Sequence, residues 1–475
     1  MNYLTNKVTD LKIAYIGGGS RGWAWTFMGD LALEEQLSGT INLYDIDFEA
    51  AKSNERIGNQ ISTKDEAVGK WKYKAVNSLK EALIGADFVV ISILPGTFNE
   101  MHSDVHLPER LGVYQSVGDT AGPGGIIRAL RTVPAFVEFA EAIKHYAPDA
   151  WVINYTNPMS MCMKTLYHVF PEIKAFGCCH EVFGTQTLLK AIVEQTLGIN
   201  NVKREDIKVN VLGINHFTWF DYASYKGLDL MPIYKDFVTK NFDNGFNAEE
   251  KHWANSSFAC LNRVKFDLFE KYGYIAAAGD RHLAEFVPSE IYLENPEIVK
   301  SWNFGLTTVD WRKQDLKNRI EKSKRLVSGE EEFLLSHSGE EGILLIKALC
   351  GLDQVISNVN IPNTAKQISN LPKSAIVETN AVFGRDSIRP LLGGKMPENI
   401  CELTIPHLEN HELVLKAALS CDKDYVIAAF MKDPLLNQKG SKEEILMLID
   451  EMIENTLNAL PSKWEESVFM TNFKK

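Results

Sequence analysis

Short apolar runs alternate with longer amphipathic segments along the first third of the chain. The runs at residues 12–16, 41–46, 87–93 and 151–155 each predict a strand. The segments between them, such as residues 126–146, have the periodicity of helices. Strands that alternate with helices indicate a doubly wound parallel sheet, so the pattern predicts an α/β fold that opens with a Rossmann-like domain.

The rest of the chain has a different pattern. Residues 200–225 alternate apolar and polar positions and predict one further strand, and helical patterns dominate from residue 245 onward. We therefore predict a Rossmann-like domain over residues 1–200 and a mixed α/β, helix-rich substrate domain over residues 201–475. Since no linker rich in Pro, Gly or Ser separates the two halves, we expect an extensive interface between them.

The composition of the chain limits the classes of partner that it is expected to bind. The chain has 475 residues, a formal net charge of −12 and a sequence pI of about 5.5. This acidity disfavours nucleic acids and anionic membranes, and the sequence has neither an 18-residue apolar run nor a signal-peptide pattern. The seven cysteines are an odd number and follow no disulfide framework. We therefore expect a cytoplasmic protein.

A glycine-rich loop follows the first predicted strand. Gly17, Gly19 and Gly22 fit G-x-G-x-x-G, with Ser20 in the same loop, and an amphipathic stretch comes next. Such glycines allow a pyrophosphate to approach a helix N-terminus. Asp45 ends the second predicted strand, where a carboxylate binds a ribose 2′-OH and repels a 2′-phosphate. These residues predict NAD rather than NADP; a glycine turn without a ligand is the alternative.

Two histidine-bearing segments also follow strand-like runs. They are GCCHEV, with Cys178 and Cys179, and GINHF, with His216. Strand carboxyl ends meet at the ligand crevice of a doubly wound sheet, so the two segments could converge there. A thiolate before a helix has a lowered pKa and, with one imidazole, gives an open metal shell. Packing is the alternative, which we favour for Cys178.

Three other segments carry polar groups that could bind a substrate. Asn157 ends the fourth predicted strand, in NYTNP. Asp280 is a candidate base, and Arg281 next to it could pair with an acidic group. The loop that begins at Gly118 and Asp119 opens the helix carrying Arg128, and its amides favour anions. For each of these segments a turn or a surface ion pair is the alternative.

Together these motifs resemble glycoside hydrolase family 4, the NAD- and divalent-metal-dependent glycosidases, over nearly the whole chain. The Cys-His-Glu-Val sequence is similar to the branch that includes bacterial α-galacturonidases. The segments that carry the resemblance are IGGGS, DTAGPGGIIRALR, NYTNP, GCCHEV, GINHFTW, AGDRHLAEF, VNIPN and LPKSAIVETNAVF. The resemblance also implies a fold like that of lactate and malate dehydrogenases.

The resemblance implies a role for each matching residue. It places Cys179 and His216 on a metal ion, usually manganese, and Asn157 against substrate and cofactor. It gives His180 the position of the proposed acid and Asp280 the position of the base. The implied reaction oxidises the sugar at C3, removes the C2 proton, eliminates the leaving group, adds water at C1 and returns the hydride.

The implied activity is hydrolysis of α-galacturonides, by a homodimer or homotetramer. The candidate substrate-binding residues are Asp119, Arg128, Asn157 and Arg281, and either Arg128 or Arg281 would contact the uronate carboxylate. Alternatives are an α-glucosidase or α-galactosidase of the same family, an NAD-dependent 2-hydroxy-acid dehydrogenase, and a non-catalytic NAD-binding sensor. The dehydrogenase would need no metal site, and an intact set of candidate catalytic residues argues against the sensor.

Overall fold

The computed structural model describes residues 1–248 and 260–466, and these contain two sheets. The strands are β1 (Asn2–Leu4), β2 (Lys7–Ile16), β3 (Leu37–Tyr44), β4 (Lys70–Val76), β5 (Phe88–Ile91), β6 (Trp151–Asn154), β7 (Lys174–Gly177), β8 (Ile207–Ile214), β9 (Phe217–Tyr225), β10 (Leu228–Asp229), β11 (Ile275–Ala276), β12 (Val355–Pro362), β13 (Ile376–Gly384) and β14 (Ser387–Pro390).

Helices surround the sheets and dominate the second half. They are α1 (Trp23–Ala32), α2 (Phe48–Ile61), α3 (Leu79–Leu83), α4 (Phe98–His106), α5 (Gly122–Tyr146), α6 (Met159–Val169), α7 (Glu181–Leu197), α8 (Met231–Asn241), α9 (Arg263–Tyr272), α10 (Asp280–Leu283), α11 (Ser289–Tyr292), α12 (Pro296–Ser301), α13 (Val309–Ser328), α14 (Gly342–Leu349), α15 (Glu398–Ser420), α16 (Lys423–Lys432) and α17 (Lys442–Glu454). Within the described ranges, no helix is both long and apolar enough to cross a lipid bilayer.

Six parallel strands form one side of the larger sheet, in the order β4-β3-β2-β5-β6-β7, with β4 at the edge. Numbered by appearance within this set, the order is 3-2-1-4-5-6, which is the Rossmann arrangement. Strand β2 shows why the sheet is buried on both faces: Ile13 and Tyr15 pack into one apolar layer, while Ala14 and Ile16 pack into another. The predicted doubly wound sheet is confirmed.

Strands from the second half of the chain extend this sheet. β12 pairs antiparallel with β7 through Asn360 and Gly177, and β13 and β14 follow in antiparallel order. One sheet therefore includes strands from both sides of the boundary that was predicted after residue 200. The boundary itself remains a prediction.

The smaller sheet corrects the prediction of a single strand over residues 200–225. β8 and β9 form an antiparallel hairpin, which β10 and β11 extend. The chain reverses between Ile214 and Phe217, and His216 has a φ of 65°. Alternating apolar positions continue through the turn, so periodicity alone did not reveal the reversal. The hairpin places His216 at its tip.

Candidate active site

The glycine loop between β2 and α1 leaves no room for larger side chains. Gly17 has a φ of +94°, and a Cβ there would lie 1.9 Å from the carbonyl oxygen of Ser92. The Gly17 N–H donates to the carbonyl of Tyr44 at 2.9 Å, and the Ser20 N–H donates to the Gly17 carbonyl at 3.0 Å. The loop is therefore a tight turn that brings backbone to the start of α1, which fits a dinucleotide pyrophosphate.

Asp45 lies directly after β3 and contacts this loop. Its Oδ2 accepts a hydrogen bond from the Gly19 N–H at 2.8 Å, and its Oδ1 accepts one from the Asp47 N–H at 2.9 Å. Burial raises the pKa of Asp45 above its ordinary value. The carboxylate is thus held at the strand end where an adenosine ribose is bound in this fold.

Asp119, Arg128 and Asn157 are brought together by hydrogen bonds. The Asn157 amide nitrogen donates to Asp119 Oδ2 at 3.4 Å, and Arg128 Nε donates to the Asn157 carbonyl at 3.1 Å. Asn157 follows β6 and precedes a cis peptide bond to Pro158. Burial would raise the pKa of Asp119, but Arg128 and two nearby histidines hold it well below its ordinary range.

Those two histidines, His216 and His282, lie close to Asp119 and form a candidate metal centre. Their rings stack with centroids 3.7 Å apart, and one donor atom from each of the three residues lies within 4.8 Å of the others. His216 Nδ1 is 3.0 Å from the Thr120 hydroxyl, which donates to Asp119 at 2.7 Å.

The charge state of this group suits a divalent metal ion. Burial, reinforced by His282, lowers the pKa of His216 to about 3, so its imidazole is neutral and offers a lone pair. Burial also lowers the pKa of His282. Two neutral imidazoles and one ionised carboxylate are ligands that manganese and related ions accept.

Cys179 lies beside the candidate metal centre, but its sulfur is not among the donor atoms of that centre that lie close to one another. Its thiol contacts the side chain of Asn215, the residue before His216, and its carbonyl accepts from the Asn358 amide at 3.2 Å. Burial, with nearby Glu378, raises the pKa of the Cys179 thiol well above its ordinary value. Burial therefore opposes the lowered thiol pKa that was predicted from the place of Cys179 before α7.

His180 is held between two carboxylates. Its Nδ1 lies 3.4 Å from Glu340 Oε1 and its Nε2 lies 3.5 Å from Glu181 Oε1, while the Trp23 ring is 6.1 Å away. Burial would lower the pKa of His180, but the two glutamates outweigh it and raise that pKa to about 10. His180 is therefore a charged proton donor at neutral pH.

Asp280 is fully buried at the start of α10. Its Oδ1 accepts from the Lys265 N–H at 3.1 Å, and its Oδ2 has no hydrogen-bond partner among the residues of the two described ranges. Burial raises the pKa of Asp280, although Lys265 opposes this rise. His282, on the same short helix, reaches the candidate metal centre, whereas the contacts of Asp280 are on the side of α9.

Arg281 and Arg131 have different surroundings. Arg281 Nη1 donates to the Thr307 hydroxyl at 2.5 Å. Arg131 bonds Asp104 through two nitrogens, and Thr456 accepts a further hydrogen bond from it at 2.8 Å. Since the Arg131 side chain is 1% exposed, Arg131 and Asp104 form a buried structural ion pair.

Comparison with protein families identifies the class of enzyme. A model described as "Family 4 glycosyl hydrolase" matches residues 12–195, and one for the C-terminal domain of the same family matches residues 211–436. The chain belongs to the family 4 glycosyl hydrolases. It is therefore a glycosidase.

Relatives of this glycosyl hydrolase match it from end to end. An α-galacturonidase from Lachnoclostridium phytofermentans is 67% identical over 98% of this chain and 100% of the relative, and one from Bacillus subtilis is 52% identical over 94% and 97%. A Bacillus subtilis crystal structure described as a glucosidase has a TM-score of 0.88 at 51% identity, covering 94% of this chain and 100% of that one. A Thermotoga maritima 6-phospho-β-glucosidase solved with manganese, NAD and glucose 6-phosphate shares the fold, with a TM-score of 0.73 at 20% identity over 95% and 99%.

Several polar residues of this family 4 enzyme were not singled out from its sequence. Glu181 accepts the Gly279 N–H at 2.6 Å and lies 3.8 Å from His282 Nε2. The Asn54 amide donates to two carbonyls of the glycine loop, at 2.8 and 2.9 Å. Glu181 could have been found from the sequence, because it lies in the GCCHEV segment. Asn54 could not, because it lies in an ordinary amphipathic helix.

Proposed function

We propose that the protein is an α-galacturonidase. One observation carries this proposal: four relatives described as α-galacturonidases are 52–67% identical over at least 94% of the chain. A Bacillus subtilis α-galactosidase is 29% identical and an Erwinia rhapontici α-glucosidase is 26% identical. The two neutral-sugar activities are therefore weaker alternatives.

The proposed cofactors are NAD and a divalent ion such as Mn²⁺. Gly17, Gly19, Ser20 and Gly22 would hold the pyrophosphate, and Asp45 would bind the ribose hydroxyls. His216 would bind the metal with Cys179, as the family resemblance implies. The proximity of Asp119 and His282 supports a site at this place, because their donor atoms lie within 4.8 Å of His216.

When bound, NAD would exchange a hydride with sugar C3, and the metal ion would act as a Lewis acid on the neighbouring sugar oxygens. Asp280 would remove the C2 proton, for which its buried, unbonded Oδ2 and raised pKa suit it. His180, kept protonated by two glutamates, would donate a proton to the leaving glycosidic oxygen. Asn157 would orient substrate and nicotinamide, because Arg128 and Asp119 fix it from both ends.

The remaining parts of the proposal concern the setting. Asp119, Arg128, Asn157 and Arg281 would contact the sugar. The protein would act in the cytoplasm, which agrees with its seven free thiols. It would assemble as a homodimer or homotetramer, and light scattering coupled to size exclusion measures this state directly.

The test is release of galacturonate from a small α-linked galacturonide under reducing conditions. NAD and Mn²⁺ are each supplied or withheld, and absorbance at the NADH band is followed in parallel. We expect release that needs both additions, without net accumulation of NADH, because the hydride returns to the product. Faster release from an α-galactoside or α-glucoside would transfer the assignment to that sugar. Release without NAD or metal would refute the mechanism.

A further inference from the structure

Three arginines lie near Asp119 at the edge of the candidate site. Asp119 interacts electrostatically with Arg128, Arg281 and Arg312, and Arg312 is close enough to the other two arginines to be repelled by both. Like charges gathered in a partly buried place are unfavourable unless an anion offsets them. Glu285 is a second such anion within the protein, because it interacts with both Arg281 and Arg312.

Two of the three guanidinium groups already have partners within the protein. Arg128 Nε donates to the Asn157 carbonyl, and Asp119 is its nearest compensating charge. Arg281 donates to Thr307 and is balanced by Glu181. These bonds explain why both side chains lie buried in the site.

Arg312, on α13, has unused donors. Its Nη2 donates to the Val117 carbonyl at 3.2 Å, but its Nε is buried without a hydrogen-bond partner. Among the residues that the structure describes, no carboxylate oxygen lies within 4.0 Å of its nitrogens. The side chain as a whole is only partly buried, although its Nε is buried.

We propose that Arg312 binds the carboxylate of the uronate, as a specificity-determining residue of the site. A guanidinium presents paired donors that match the two oxygens of a carboxylate, and an unbonded buried Nε is one member of such a pair. This inference rests on the proposed function. It adds Arg312 to the predicted substrate contacts Arg128, whose Nε is already engaged, and Arg281, whose Nη1 is already engaged.

The same arrangement would discriminate against neutral sugars. A galactoside carries a hydroxymethyl group in place of the carboxylate, and it would leave the charged donor of Arg312 unpaired when the site closes around it. Sites built to pair a polar group reject analogues that lack it more strongly than apolar pockets reject a size change.

The experiment measures galacturonate and galactose affinity by calorimetry in the presence of NAD and Mn²⁺. Arg312→Gln should weaken galacturonate binding about 10- to 100-fold, because a charge-assisted pair is lost, and should leave galactose binding as tight as in wild type or tighter, because no charged donor is then left unpaired. Arg312→Lys keeps the positive charge but lacks the paired donors of a guanidinium. Its galacturonate affinity should therefore lie between those of wild type and Arg312→Gln. Arg325→Gln, on the same helix but paired with Glu331, is the control and should behave as wild type. NAD affinity should be unchanged in all variants.

Each outcome either supports or overturns the proposal that Arg312 binds the uronate carboxylate. Equal galacturonate affinity in wild type and Arg312→Gln overturns the inference, as does a loss confined to NAD or an absence of galacturonate binding by wild type. If Arg312→Gln does not fold, Arg312→Lys with wild-type affinity overturns it equally. Hydrolysis is assayed separately: binding that depends on Arg312 without turnover would support the inference and refute the proposed activity.

Discussion

Two buried histidines of the site have opposite charge states, and their neighbours determine this difference. His180 lies between Glu181 and Glu340, which raise its pKa to about 10 despite burial. His216 is stacked on His282, and burial lowers its pKa to about 3. One imidazole is therefore suited to donating a proton and the other to binding a metal ion. Pairs of titratable groups whose surroundings separate their pKa values are typical of acid–base sites.

At this scale we expect Cys179→Ala to lower Mn²⁺-dependent turnover by at least about 100-fold, since loss of even an outer-shell partner weakens metal sites 10- to 100-fold. Titration of activity against Mn²⁺ at saturating NAD measures the effect. Cys178→Ala is the matched control, because the Cys178 side chain faces Tyr155, and it should retain wild-type metal dependence. Equal Mn²⁺ dependence in both variants would leave His216, His282 and Asp119 as the ligands.

We expect Asp280→Asn to reduce kcat by about 10²- to 10⁴-fold, because an amide cannot accept the C2 proton. Turnover in D₂O followed by mass spectrometry of the product measures incorporation of deuterium at C2. NAD affinity should be unchanged, since Asp280 contacts α9 rather than the glycine loop. Undiminished C2 exchange in the variant would assign the base to another group.

At the scale of elements, α5 depends on a carboxylate from the far end of the chain. Its N-cap residue, Ala121, provides no side-chain cap, and Asp433 accepts the N–H of Gly122 as well as that of Leu435. Burial nevertheless raises the pKa of Asp433 to about 7. Because α5 carries Arg128, this contact supports the substrate site from outside it.

The raised pKa predicts a stability effect with a defined sign. The pKa of Asp433 is about 7 in the folded protein, against an ordinary value of 3.8, so the native state binds the extra proton between these values. The free energy of unfolding therefore loses this contribution as pH rises from about 4 to about 7. When the pH is raised from 5 to 8, the free energy of unfolding of wild type should fall by on the order of 2 kcal/mol relative to that of Asp433→Asn.

Urea unfolding of both proteins at the two pH values measures this difference. Asp422→Asn is the control, because Asp422 is exposed, caps α16, and can be replaced by asparagine as a cap. Its pH dependence should match that of wild type. Parallel pH profiles for wild type and Asp433→Asn would contradict the prediction.

The elements also show what the sequence could reveal. The parallel strands were predictable because buried strands are short apolar runs, and the residues at their carboxyl ends, Asp45 and Asn157, were found with them. The hairpin at His216 was missed because the alternation of β8 continues into β9. Glu340 and Arg312 reach the site from a loop and a helix far along the chain, and nothing local in their sequence indicates that contact.

At the scale of the molecule, the larger sheet depends on both halves of the chain. β12 covers the edge of β7, the strand that leads into Cys179 and His180. The Asn358 amide of β12 also bonds the Cys179 carbonyl, so the second half of the chain supports the site segment directly.

We therefore expect residues 1–200 expressed alone to aggregate, because β7 would present an unpaired hydrophobic edge. Centrifugation and size exclusion of the fragment, with the full chain as reference, measure this. A soluble, monomeric fragment that binds NAD with the affinity of the intact protein would show that the predicted first domain is self-sufficient.

The pairing of β7 with β12 also has a consequence for synthesis in the cell. A ribosome must translate from Gly177 to Asn360 before the two partners exist together. At about 5–20 residues per second, the strand before GCCHEV stays exposed for roughly ten seconds or more. During that interval the nascent chain exposes the unpaired edge of β7 and the two thiols of GCCHEV. The yield of folded protein would therefore depend on chaperones and on a reducing environment more than the stability of the finished enzyme suggests.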